Sequence, residues 1–213
     1  MAIVIRPYQP TDRPRLRQLC HDTGYMGASA AWYWRHADSF ADIWTGYYTD
    51  HEPESLWVAT DENRMLGYLA GCVDSRRALS PATTILRAAR RYGLLLRPGT
   101  AGFLWRGIVD ALRPGATPID EVTDPRWPSH LHINLRPDAR GRGVGKQLMA
   151  AWFNRLRAVG SPGCHLGTLA ENATAIRFFT STGFRPLVAP LCIPGMRSPA
   201  GDRHHLQVMV REV

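Results

Sequence analysis

The chain has 213 residues, 45% of them hydrophobic, and a formal net charge of +8, which suits one domain over residues 1–213 with a sizeable core. It holds no run of about 18 apolar residues, so no membrane span is expected. No CxxC pair joins Cys20, Cys72, Cys164 and Cys192, which argues against a disulfide scaffold and a metal site, and the N-terminus lacks a signal-peptide layout, so a reducing cytoplasm is the expected compartment.

Ala2 to Arg6 reads as a first strand, and Thr11 to His21 as a helix with Thr11 or Asp12 as N-cap. A second helical region runs from Ser29 to Thr49 and carries Trp32, Tyr33, Trp34, Phe40, Trp44, Tyr47 and Tyr48. Core is the commoner fate of such rings, and the wall of a substrate cleft is the alternative. Leu56 to Ala59 and Met65 to Val73 read as a hairpin joined at Asp61-Glu62-Asn63-Arg64.

Residues 75–118 form a basic helical insertion. It holds Arg76, Arg77, Arg87, Arg90, Arg91, Arg97, Arg106 and Arg113 against Asp110 alone, a local excess of +7 out of the total +8. Two helices separated by Arg97-Pro98-Gly99 are expected. In the first, Ile85, Ala88, Tyr92 and Leu95 share a face and the arginines lie largely elsewhere, the pattern of a helix docked on its own domain rather than on a membrane or nucleic acid.

Leu131 to Leu135 alternates apolar and polar residues and ends before Pro137, and Val144, Leu148, Trp152, Leu156 and Val159 repeat at helical spacing. Between them lies Arg140-Gly141-Arg142-Gly143-Val144-Gly145-Lys146. Glycines at a helix start let backbone approach a ligand, and the first N–H groups there attract anions. An ordinary strand–helix turn with a solvated basic patch is the plainer reading. The loop is not a nucleotide P-loop, because Arg140 and Gln147 stand where Gly and Ser/Thr are needed; nor is G-x-G-x-G the dinucleotide spacing. A strand (Cys164 to Leu169), a helix (Asn172 to Thr182) stopped by Gly183, and two closing strands (Phe184 to Val188, Leu206 to Val210) follow, the last two separated by a Pro/Gly-bearing loop from Pro190 to His204. The order describes a mixed α/β sheet.

Ile133-Asn134-Leu135-Arg136-Pro137, then Arg140-x-x-Gly143-x-Gly145, then Glu171-Asn172-x-x-Ala175-Ile176-x-Phe178-Phe179 and Gly183-Phe184 resemble the GCN5-related N-acetyltransferases. The resemblance implies a mostly antiparallel sheet whose fourth and fifth strands splay apart, with the insertion placed between the third and fourth. It implies acetyl-CoA as cofactor and coenzyme A as product. Backbone groups of Ile133 and Leu135 would bond the pantetheine arm, beside Asn134. Arg140, Gly141, Arg142, Gly143, Val144, Gly145 and Lys146 would hold the pyrophosphate. Asn172 would face the thiol end of the cofactor, with Phe179 seven residues on. A small-molecule or peptide amine would attack the thioester directly. The sequence leads us to expect no metal and no membrane partner, and it ranks nucleic-acid binding through the basic segment below these readings. The insertion is longer than the family's usual link and reads as a lid, an acceptor-site wall or an oligomer contact, a homodimer being the simplest case.

Three positions depart from the family's acid–base pattern. Phe179 stands where many members carry a Tyr that protonates the thiolate, and Gly167 where some carry a Glu base. Trp127-Pro128-Ser129-His130-Leu131-His132-Ile133-Asn134 is similar to the branch found beside O-GlcNAc hydrolases, with Asn134 replacing that branch's Asp. His132 and Asn134 are the catalytic candidates that remain, His132 as a neutral imidazole base on the strand face shared with His130; a hydrogen-bonded structural His is the alternative. Water or Ser181 is left as proton donor, and Asp120, Glu121 and Asp124 as carboxylates that either bind a cationic amine or form a solvated loop. The expected activity is N-acetyl transfer, and the alternative is a non-catalytic acetyl-CoA-binding or pseudo-acetyltransferase module.

Overall fold

The computed structural model describes residues 3–62, 64–114, 119 and 122–213. Asp120 and Glu121 lie outside the described residues. Strands β1 (Ile3–Pro7), β2 (Leu56–Asp61), β3 (Arg64–Cys72), β4 (Ser129–Leu135), β5 (Gly163–Leu169), β6 (Arg185–Pro186), β7 (Leu191–Arg197) and β8 (Arg203–Glu212) form one sheet. Their order is β1-β2-β3-β4-β5-β8-β6, with β7 also on β8. Every pairing is antiparallel except β4 with β5.

That one parallel pair positions the site. It bonds only at Ser129↔Cys164 and His130↔His165, whereas β5 stays paired with β8 along its whole length. From Leu131 onward β4 leaves β5, and the strands open toward their C-terminal ends. The expected mostly antiparallel sheet with a splayed fourth and fifth strand is the sheet observed.

Alternation along β4 sorts the layers. Leu131, Ile133 and Leu135 join the core made with α5 (Val144–Ala158) and α6 (Ala173–Ser181), around Trp152, Leu148 and Phe179. His130 and His132 face the other core, formed by α1 (Arg13–Asp22) and α2 (Ala37–His51). Such a two-sided sheet buries apolar surface on both faces.

Two elements differ from the sequence reading. The helix expected over 29–49 starts at Ala37, because two caps divide the segment. Ser29 Oγ accepts from Ala31 N–H and closes a short 3-10 turn, and His36 Nδ1 accepts from Ser39 N–H and opens α2. The loop expected over 190–204 contains β7. Its pairing slips between Cys192 and Arg197, which accommodates Pro194 and Gly195 on an edge strand.

The insertion folds as α3 (Pro81–Tyr92) and α4 (Ala101–Ala111), separated by a segment that includes Arg97-Pro98-Gly99 as expected, with α3 itself ending at Gly93. Ile85, Ala88 and Tyr92 pack on the α1–α2 core as their spacing predicts, but Leu95 lies past the helix in an exposed turn. The α4 helix packs on β7. The buried carboxylate of Asp110 accepts from Gly195 N–H at 2.9 Å and pairs with Arg197 at 2.5 Å. Burial opposes ionisation there, but the Gly195 N–H and the Arg197 guanidinium outweigh it and hold the carboxyl below its usual range.

Candidate active site

The splay opens into a cleft of about 2610 Å³ lined by β4, β5, the start of α5, α2 and α6, and continuing beneath α1, α3, α4 and β7. At one end, Gly143 begins α5 with φ of 77°, a left-handed conformation that L side chains resist. None of the N–H groups from Gly141 to Lys146 donates to a protein oxygen among the described residues, and no side chain caps the helix. Six amide donors therefore lie unclaimed at the positive end of a 15-residue helix. Gly145 is needed for a different reason: a Cβ there would sit 2.9 Å from the Phe178 ring, so α5 and α6 approach only with glycine.

The cations around this row are unequal. Lys146 is exposed and makes no ion pair among the described residues. Arg142 pairs with Asp61 at 3.5 Å, and Arg140 donates to Met26 O at 3.1 Å. Each arginine keeps further N–H groups for an anion.

Backbone register addresses the pantetheine positions. Arg136 N–H donates to Leu66 O on β3, and in an antiparallel pair alternate residues bond the same neighbour. Asn134 and His132 therefore bond β3, while the N–H and C=O groups of Ile133 and Leu135 point into the gap that β5 has left.

At the inner end of the gap stand three histidines. His130 is fixed, with Tyr48 Oη 2.7 Å from Nε2 and Ser75 Oγ 2.7 Å from Nδ1. His165 Nδ1 lies 2.8 Å from Trp127 O. His132 meets Trp44 and Tyr48 edge-on, each at 5.6 Å, and lines the cleft with no protein hydrogen bond at its ring among the described residues. Burial pushes His132 down to about 4 and His130 well below its ordinary range, with His165 adding to both, and burial lowers His165 itself. The chamber is thus neutral at physiological pH. Its proton acceptor is available but weak, since a base works best near the operating pH.

Other sequence candidates take structural tasks. Asn134 is not available as a catalyst: its Nδ2 donates to Thr23 O and Oγ1, and its Oδ1 accepts from Tyr68 Oη. It ties β4 to the end of α1. Asn172 Oδ1 accepts from Ala175 N–H, so Asn172 is the N-cap of α6 while also lining the cleft. Phe179 lines the cleft from the edge of the core and packs on Phe178 and Phe184. Ser181 gives its hydroxyl proton to Phe178 O, which removes it as a thiolate donor. Asp124 pairs with Arg126 and holds no cleft position. A Cβ on Gly167 would meet Leu206 Cδ1 at 2.8 Å, so the Leu206 side chain fills the space that a longer residue there would need.

One cluster escaped the sequence reading. Tyr25 Oη lies 2.9 Å from His204 Nε2, His204 Nδ1 lies 3.1 Å from Glu171, and Glu171 also bonds His205 at 2.8 Å. Burial would raise Glu171, but the bonds from His205 and its other donors carry it down to about 2. With the Asn134–Thr23 and Arg140–Met26 bonds, this cluster pins residues 23–28 across the splay at three points. No motif signals it, because its members come from positions nearly 180 residues apart.

Among the described residues no group of three or more His, Cys, Asp or Glu is placed to hold a metal ion, and no helix is long and apolar enough to cross a membrane. A family model described as "Acetyltransferase (GNAT) family" matches residues 23–184. The chain is 33% identical over 100 residues to a mycothiol acetyltransferase of Nocardia farcinica, 44% of this chain and 29% of that one. It is 34% identical over 84 residues to a mycothiol acetyltransferase of Sanguibacter keddieii, 39% and 24% of the two chains. These matches span under a third of those relatives' length. Among solved structures, SsHAT superposes with a TM-score of 0.67 at 23% identity, over 100% of this chain and 98% of that one. Salmonella typhimurium yncA, solved with its cofactor acetyl-CoA, gives 0.61 at 15% identity over 100% and 94%. Drosophila melanogaster polyamine N-acetyltransferase, which forms N-acetylagmatine, gives 0.61 at 19% identity over 100% of both chains. At these identities the structures speak to the fold alone.

Proposed function

Since the chain belongs to the GNAT acetyltransferase family, we propose that it moves an acetyl group from acetyl-CoA to a primary amine by direct attack. The observation that carries this reading is the unclaimed amide row from Gly141 to Lys146, opening into the same cleft as the β4–β5 gap. The residues present fit the cofactor. Those amides, with Lys146, Arg140 and Arg142, would hold the diphosphate; the gap-facing groups of Ile133 and Leu135 would bond the pantetheine arm, near Asn172 and Phe179. When bound, acetyl-CoA supplies an activated acyl group and a thiolate that leaves readily near neutral pH.

The chain's own work is alignment in a chamber lined by uncharged rings. Trp44 and Tyr48 wall the acceptor end, and His132 accepts a hydrogen bond from the incoming N–H. Because His132 stays neutral, it holds an uncharged amine and does not titrate an ammonium. The rate is therefore expected to rise with pH along the acceptor amine's own ionisation, without an inflection near the usual histidine value.

Isothermal titration with acetyl-CoA, followed by thiol release over an amine panel that includes thiol-bearing amines and polyamines, tests both halves. The mycothiol acetyltransferase relatives motivate the first class. No binding at millimolar acetyl-CoA defeats the proposal. A second reading, a module that binds acetyl-CoA without turnover, is favoured by the neutral chamber and by Phe179, Gly167 and Asn134. Tight binding with no thiol release from any amine selects it.

A further inference from the structure

The α4 helix carries a second apolar face that no part of the described chain covers. Trp105, Val109 and Leu112 are 53%, 52% and 79% exposed, and their spacing aligns them as one stripe. The turn just before α4 adds Leu96, 90% exposed. Arg106 edges the stripe on the β7 side, where its Nε donates to Gly195 O at 3.4 Å, and Arg113, just past the helix end, pairs with Asp110 at 3.3 Å while staying half-exposed. Arg87 and Arg90 on α3 are exposed and make no ion pair among the described residues. The opposite face of α4 is already used, with Phe103 and Leu104 in the core and Asp110 clamped on β7.

We propose that this face docks on an anionic lipid surface. A stripe of large apolar side chains edged by arginines is the pattern of a helix lying in a membrane interface, where rings and aliphatic chains enter the acyl boundary and guanidinium groups meet headgroups. Charge selects this occupant over a second copy, since two copies meeting here would oppose segments of +7 each. Apolarity selects it over nucleic acid, since phosphate-backbone binding gains nothing from Leu96 and Leu112 in water. The sequence pattern set α3 against its own domain, and α3 is so placed; α4 is the helix that leaves an apolar face outward. The stripe residues themselves do not line the cleft, whereas Leu104, Gly107 and Ala111 of the same helix do.

Co-sedimentation of the full chain with vesicles of neutral phosphatidylcholine, and of phosphatidylcholine with about one third phosphatidylglycerol, tests this. Binding to the anionic vesicles alone, weakened by salt, is the expected result. Arg87→Glu with Arg90→Glu, which leaves every packed side chain in place, is expected to weaken binding about thirtyfold or more. Trp105→Ser with Leu112→Ser is expected to abolish it while the melting temperature is kept. The proposal is overturned by no binding to anionic vesicles at low salt, by equal binding to neutral ones, or by full retention in either double variant. Tighter binding to duplex DNA than to vesicles overturns it too, as does a concentration-dependent dimer lost in Trp105→Ser with Leu112→Ser.

Discussion

The two ends of the cleft are built by opposite means. At the end proposed for the cofactor the main chain offers the contacts, with unclaimed amides at the start of α5 and gap-facing groups on β4. At the end proposed for the acceptor side chains line the cleft: Trp44 and Tyr48 from α2 and His130 and His132 from β4, with α4 bracing β7 nearby. Backbone recognition constrains glycines at fixed spacing within one loop. Side-chain recognition needs only that distant segments meet, so it leaves no local pattern.

The comparison is strained hardest at Gly195. Its φ is 76°, and a Cβ there would lie 2.6 Å from Phe103 O and 2.7 Å from Gly107 N, both main-chain atoms that cannot yield. Gly195→Val is expected to cost about 3 kcal/mol in urea unfolding. A much smaller loss would mean that the insertion is not a structural brace of the acceptor end.

Acid tests the neutral chamber. His132 ordinarily titrates at 6.5 and is carried down to about 4 by burial. Between those values the unfolded chain takes up the proton and the folded chain does not, so stability falls as pH falls. The loss for this residue is about 3 kcal/mol by pH 4. Glu171 acts lower: held at about 2 against 4.5, it contributes stability that is present above pH 4.5 and lost toward pH 2. Urea midpoints measured from pH 7 to 3 should show the first decline before the second.

His132→Ala is expected to lower kcat about a hundredfold, the low end for a positioned proton acceptor, and to leave acetyl-CoA affinity unchanged in titration calorimetry. If affinity falls as well, the two ends are not separable. The smallest effect is expected from Asn172→Ala, a lost N-cap costing about 1 kcal/mol. A large fall in acetyl-CoA affinity beyond that would give Asn172 a direct cofactor contact.

Residue by residue, what was legible follows from how local each signal is. The glycine spacing from Gly141 to Gly145, the strand before it and the apolar repeat of α5 are contiguous, and each element stands where periodicity places it. The β7 strand was hidden because Pro194 and Gly195 look like loop residues until Asp110, 85 positions earlier, accepts the Gly195 N–H. Asn134 looked catalytic because its strand face was known and its partners were not. Thr23 and Tyr68 reach it only in the fold.

By itself the sequence determined the order of elements, the anion-seeking helix start and the departures at Phe179, Gly167 and Asn134, since these depend on periodicity, dihedral freedom and residue identity. Tertiary structure alone decided that His132 is neutral, that Asn134 is spent on Thr23, that residues 23–28 cross the splay, and that α4 turns an apolar face outward. Protonation, hydrogen-bond commitment and exposure all depend on what else occupies the surrounding space, and that is set only when segments far apart in the chain are packed together.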